Sequence, residues 1–128
     1  MADIKTVGVI GAGQMGGGIA HVCALAGYDV LLNDLDPARI EACVTLIDHN
    51  MARQVGRGVI TQDEMTAGLA RIKAATTLEA VGAADLAIEA ATENEEIKKQ
   101  IFRNLAPHLA DHTLLASNTS SISITRLA

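Results

Sequence analysis

The chain has 128 residues, 10 Lys+Arg against 15 Asp+Glu, and a formal net charge of −5. That length suits one domain and leaves no room for a second large one. No run of like charge exceeds three, which argues against a nucleic-acid arm or a polybasic membrane patch. No unbroken apolar stretch is long enough to span a bilayer, and no signal-peptide pattern opens the chain.

The elements follow in chain order. Residues 6–10 (TVGVI) are an apolar run that breaks into glycines. Gly13 to Ala26 reads as a helix, with Met15, Ile19, Val22, Cys23 and Ala26 at helical spacing. Residues 29–34 (DVLLND) predict a second strand ending in polar residues. Pro37 sits where a helix begins, and residues 38–54 place Ile40, Val44, Ile47 and Met51 on one face. After a break at Gly56–Gly58, Asp63 to Ala70 predicts a further short helix. Residues 70–77 and 84–90 are candidate strands. Residues 93–106 put Ile97, Ile101 and Leu105 on one stripe, with Thr92 and Glu95 as a capping box and Pro107 as its end. Residues 113–117 (TLLAS) predict the last strand. Strands alternating with helices, and near-continuous apolar runs within the strands, imply an α/β doubly wound parallel sheet.

The core is expected to be unusual. Alanine occurs 22 times and glycine 11, while Tyr28 and Phe102 are the only aromatic residues. Either small aliphatic side chains build the core, or more protein completes it. Cys23 and Cys43 lack metal-ligand or CxxC spacing, which fits reduced thiols and a cytoplasmic protein. No metal site is expected.

The sharpest motif is Gly11-Ala12-Gly13-Gln14-Met15-Gly16, between a strand and a helix. In that context Gly11 permits the tight turn. Gly13 lets backbone approach a pyrophosphate, and Gly16 lets helix pack on strand. The helix N-terminus offers N–H groups and a positive dipole end to phosphate. Asp34 ends the second strand at the spacing of an acid that hydrogen-bonds the adenosine ribose. An acid there disfavours a 2′-phosphate, so NAD is expected over NADP. Together these residues predict a Rossmann-type dinucleotide site.

Two further features stay open on spacing alone. Every serine lies within 117–123, in the segment SNTSSIS after the last strand. It either caps a helix or holds a ligand at the carboxyl edge of the sheet. Glu89 and Glu93 flank the end of the fourth strand, followed by Lys98. They form an ion pair, or they face the cofactor cleft.

With these residues in hand, the chain resembles the NAD-binding domain of the 3-hydroxyacyl-CoA dehydrogenases, including the bacterial 3-hydroxybutyryl-CoA enzymes. The resemblance runs along the whole chain. Its parts are VGVIGAGQMGGGIA at 7–20, NDLDPARI at 33–40, ITQDEMTAGLARIKAATTL at 60–78, AIEAATENEEIKKQIF at 87–102 and LASNTSSISIT at 115–125. It implies an NAD-dependent oxidoreductase of fatty acid metabolism, interconverting L-3-hydroxyacyl-CoA and 3-ketoacyl-CoA. By that likeness Gly11, Gly13, Gln14, Met15 and Gly16 hold the pyrophosphate, and Asp34 the adenosine ribose. Glu93 and Lys98 reach the nicotinamide ribose, and Asn118 lies near the nicotinamide. Ser120 hydrogen-bonds the reacting oxygen of the substrate, and Arg57 meets coenzyme A phosphates.

The family's general base is a histidine in an HFFNP-like segment downstream of SNTSS. None of His21, His49, His108 or His112 stands in such a segment. The expectation is therefore an NAD-binding domain, 1–128, cut short of its base, of the last strands and of the helical domain through which the family dimerises. Catalysis by these residues alone is not expected. Two alternatives remain: a non-catalytic NAD-binding module, and a related gulonate- or β-hydroxyacid-type dehydrogenase. SNTSS argues against the β-hydroxyacid type.

Overall fold

The computed structural model describes residues 4–91 and 95–117. Five strands form one parallel sheet: β1 (Thr6–Ile10), β2 (Asp29–Asn33), β3 (Ile72–Ala75), β4 (Leu86–Glu89) and β5 (Leu114–Ser117). Their spatial order is β3-β2-β1-β4-β5. The order reverses at β1, so the crevice between the ends of β1 and β4 is the switch point where α/β sheets bind ligands.

Helices connect the strands on both faces. They are α1 (Gln14–Leu25), α2 (Pro37–Gly56), α3 (Gln62–Arg71), α4 (Leu78–Val81) and α5 (Glu95–Leu105). Alternation along β1 divides the core. Val7 and Val9 face one cluster with Val30, Leu32, Ala20, Ala24, Ile40, Ile47 and Met51. Ile10 faces the other with Ala75, Val81, Ala87, Phe102 and Leu105. Phe102 is buried in the second cluster and Tyr28 packs against the first. The rest of the described core is aliphatic.

Start and stop signals set most element bounds. Asp36 caps α2 through Ala38 N–H, with Pro37 in the first turn. Thr61 and Glu64 form a reciprocal capping box on α3. Pro107 falls in a 3₁₀ turn, Ala106–His108, that closes α5.

Three expectations need correction. The third strand is shorter than 70–77, because Arg71 completes α3 and donates to Ala24 C=O at 2.7 Å. The one-turn helix α4 was not foreseen; Thr77 caps it. The expected apolar stripe of α1 faces the core only in part: Ile19 and Cys23 pack against it, but its other large members do not. Met15 is 54% and Val22 67% exposed, whereas Gly16, Gly17, Ala20 and Ala24 are buried. Close approach to the sheet selects small side chains, and a Cβ on Gly16 would lie 1.7 Å from Gly11 O. The Thr92–Glu95 capping box involves residues outside those described.

Candidate functional site

One row of the sheet carries the motifs. Ile10 pairs with Asn33 on one side and Glu89 on the other, and Glu89 pairs with Ser117. The glycine turn, Asp34 and the Glu89 segment thus leave the sheet at one carboxyl edge, the edge at which Ser117 ends β5.

The turn after β1 has no room for a side chain at Gly11. Gly11 has φ +107, where L-residues are strained, and its Cβ would meet Ala91 Cα at 2.6 Å. Its N–H donates to Asn33 C=O at 2.7 Å, and Ala90 N–H donates to Ile10 C=O at 2.8 Å. The loops after β1, β2 and β4 are therefore tied together. Asn33 is buried and donates its side-chain amide to Ala75 C=O at 2.7 Å, which fixes the third edge.

Helix α1 begins differently from its neighbours. Its N-cap is Gly13, with no side-chain cap and no acid in the first turn. Helices α2, α3 and α4 each have a side-chain cap. The first N–H groups of α1 are thus left to an external acceptor, at the positive end of the helix dipole. A Cβ on Gly13 would meet only the Arg39 guanidinium, at 3.5 Å, so the approach to this turn is bare backbone.

Asp34 stands across from it. Its Oδ2 accepts from Ala12 N–H at 3.1 Å and its Oδ1 from Asp36 N–H at 3.0 Å. Arg39 Nε lies 3.5 Å from Oδ2. These contacts aim a carboxylate at the mouth of a cleft of about 360 Å³. Gly11, Gly13, Asp34 and Leu35 border it on one side, Ala91, Ile97 and Ile101 on the other. Sequence reading missed Leu35 and Arg39 here. One signal was available: Leu35 is a lone apolar residue within NDLDP.

Glu89 and Lys98 form an ion pair. Both side chains are fully buried, and Lys98 Nζ donates to Glu89 Oε1. The other oxygen, Oε2, accepts from Ala91 N–H at 2.6 Å. Glu89 therefore joins α5 to the loop that borders Gly11. Glu93, Asn118 and Ser120 lie outside the described residues.

Arg57 caps the C-terminus of α2 and is exposed. It borders a hollow of about 450 Å³ with His21, Arg53 and Gln54. His21 Nε2 is hydrogen-bonded to Gln54 Oε1 at 2.7 Å. A groove of about 680 Å³ between α1 and α2 shares His21 and Asn50 with that hollow and reaches Gly13. Burial raises both thiol pKa values, and no disulfide forms between Cys23 and Cys43. No helix among the described residues is long and apolar enough to cross a membrane.

Comparison with known proteins now decides the family. Residues 6–128 match the 3-hydroxyacyl-CoA dehydrogenase, NAD binding domain. The chain belongs to this family. It is 54% identical over 127 residues to a 3-hydroxybutyryl-CoA dehydrogenase of Bradyrhizobium diazoefficiens, covering 99% of this chain and 43% of that protein. It is 43% identical to a 3-hydroxyadipyl-CoA dehydrogenase of Escherichia coli K12, covering all of this chain and 27% of that one. Among solved structures, 3-hydroxybutyryl-CoA dehydrogenase from E. coli K12 superposes with a TM-score of 0.93 at 42% identity, covering 98% of this chain and 27% of that chain. The (S)-3-hydroxybutyryl-CoA dehydrogenase of Ralstonia eutropha gives a TM-score of 0.92 at 39% identity, over 98% of this chain and 44% of that chain. The chain thus spans less than half the length of these relatives.

Proposed function

We propose that this domain is the cofactor half of an NAD-dependent L-3-hydroxyacyl-CoA dehydrogenase acting on short chains such as 3-hydroxybutyryl-CoA. The observation that supports this most is the common register row, from which the glycine turn and Asp34 emerge and in which Ser117 ends β5.

In this reading NAD, when bound, accepts hydride from the carbon that bears the substrate hydroxyl. The chain's residues bind and orient. The uncapped N–H groups of Gln14 and Met15 take the pyrophosphate at the positive end of α1. Asp34 accepts from the adenosine ribose hydroxyls, and its charge repels a 2′-phosphate. Leu35 on one side and Ile97 and Ile101 on the other give adenine an apolar slot. Glu93 and Lys98 serve the second ribose, with the Lys98 ammonium held by Glu89. Asn118 stands by the nicotinamide, and Ser120 donates to the substrate oxygen. Arg57, with Arg53 and His21 around the same hollow, meets coenzyme A phosphates.

The general base is a histidine outside these 128 residues, as is the surface that forms a homodimer. A cytoplasmic location belongs to the same reading. The test is steady-state oxidation of NADH by acetoacetyl-CoA in the full-length protein. Turnover is expected there, and NADH binding without turnover in residues 1–128. Absence of turnover with every 3-ketoacyl-CoA tried would overturn the activity. Absence of NADH binding would overturn the cofactor role.

A further inference from the structure

Arg39 is poorly explained as a structural ion-pair partner. Its side chain is 61% exposed, and Nε stands 3.5 Å from Asp34 Oδ2, beyond a good charge-assisted hydrogen bond. A structural arginine would dock bidentately on that carboxylate. Instead the tip of the guanidinium leans over the glycine turn, 3.5 Å from where a Gly13 Cβ would stand. The side chain borders both the cleft beside Asp34 and the groove between α1 and α2. A planar cation with five donors therefore overhangs the position at which Asp34 meets a ribose.

Asp34 is the carboxylate that Arg39 touches. Asp36 is the next, and its Oδ1 accepts from Ala38 N–H at 3.0 Å as the cap of α2. Asp36 keeps its charge but is engaged at the helix start, so Asp34 is the carboxylate placed against Arg39.

We infer that Arg39 is a latent 2′-phosphate clamp, so that discrimination against NADP rests on the single carboxylate of Asp34. This deepens the proposed NAD role and rests on it. With the carboxylate present, a 2′-phosphate meets a like charge at closest approach, and the arginine's attraction is cancelled. With the carboxylate neutralised, the same arginine presents a fork to phosphate oxygens with no further change in the fold. Ordinarily two changes are needed to reverse dinucleotide preference: loss of the acid and gain of a base. Here the base is already in place.

The experiment is direct calorimetric titration with NADH and NADPH, reading affinity rather than turnover. Wild type should bind NADH and bind NADPH weakly. Asp34→Asn keeps the shape and the acceptor for Ala12 N–H, gives up the acceptor for Asp36 N–H, and removes the charge. It should weaken NADH about tenfold and tighten NADPH about tenfold, the scale of one charge-assisted hydrogen bond. Adding Arg39→Ala should abolish the NADPH gain. Raising salt should shrink that gain, since the clamp is partly exposed. Asp34→Ser carries the same comparison if the amide variant melts early. No NADPH gain in either Asp34 variant, or a gain that survives Arg39→Ala, overturns the inference while leaving the NAD reading intact. A wild-type protein that binds neither nucleotide overturns the cofactor reading, and this inference with it.

Discussion

The two edges of the sheet are built on opposite rules. At the amino edge, Asp85 accepts from Lys5 N–H at 2.8 Å, from Thr6 N–H at 2.9 Å and from His112 at 2.7 Å. These bonds tie the start of β1 to the turn before β5. At the carboxyl edge, α1 starts on a glycine with no cap, and Asp34 faces a cleft beside a loosely held arginine. One edge consumes its polar groups in holding the fold together. The other holds polar groups open and recovers the cost through the backbone ties among Gly11, Asn33, Ala90 and Ala91. The residues that tie this edge together, Gly11, Asn33, Ala90 and Ala91, also line the cleft.

The sharpest way to break this comparison is Gly16→Ala. Its Cβ would stand 1.7 Å from Gly11 O, a backbone atom that cannot step aside without opening the turn. Overpacking of that severity should cost about 3 kcal/mol or more. Thermal melts should show a large fall in Tm, with NADH affinity lost as well. Gly18 has nothing within 4 Å of its Cβ position, so Gly18→Ala should raise Tm slightly through helix propensity. Equal behaviour of the two variants would show that the turn is not as tight as drawn.

The buried pair comes next. Glu89→Ala takes a carboxylate from a fully buried lysine and from Ala91 N–H, at an expected cost of about 3–5 kcal/mol. Glu89→Leu combined with Lys98→Met should recover a large part of that stability, because no buried charge is then left without its ion-pair partner. Urea denaturation of the three proteins decides. If the double variant is no more stable than Glu89→Ala, the pair is not what supports this edge.

Asp34→Ala probes the open carboxylate. Losing a charged acceptor for two ribose hydroxyls should weaken NAD about 10–100-fold. Ser120→Ala should change NAD affinity little, since its expected contact is with substrate oxygen. Affinities in the reverse order would reassign both residues.

Much of this site was legible in the chain because it depends on local chemistry. GAGQMG between a strand and a helix can make few other structures, and Asp34 follows from the length of one helix and one strand. The apolar runs gave all five strands for the same reason: a parallel sheet buried on both faces leaves no polar alternation. What failed was size and reach. On α1 the large apolar residues look like the core stripe, yet Gly16, Gly17, Ala20 and Ala24 occupy it because the helix lies close against the sheet. Leu35 and Arg39 resemble ordinary surface residues until the β2–α2 turn folds them over the cleft. Glu89 and Lys98 could pair or diverge by spacing, and only the return of α5 onto β4 brings them together. The one-turn helix α4 is too short for periodicity to register.

The smallest effect belongs to the closed edge and is confined to acid. The Asp85 carboxyl is held at about 2, against an ordinary 3.8, first by the Lys5 and Thr6 N–H groups and then by His112. A folded-state pKa below the unfolded one means that the carboxylate's contribution to stability is complete above about pH 4. It is lost as pH falls from there toward 2, because protonation of the folded state must break those bonds. Asp85→Asn should therefore flatten the acid limb of a Tm-against-pH curve over that window. It should leave NADH affinity near neutral pH unchanged, since Asp85 lies at the edge away from the cleft. Asp34→Asn should instead alter NADH affinity near neutral pH. An Asp85 variant that lost NADH affinity in step with stability would show that the two edges are not independent.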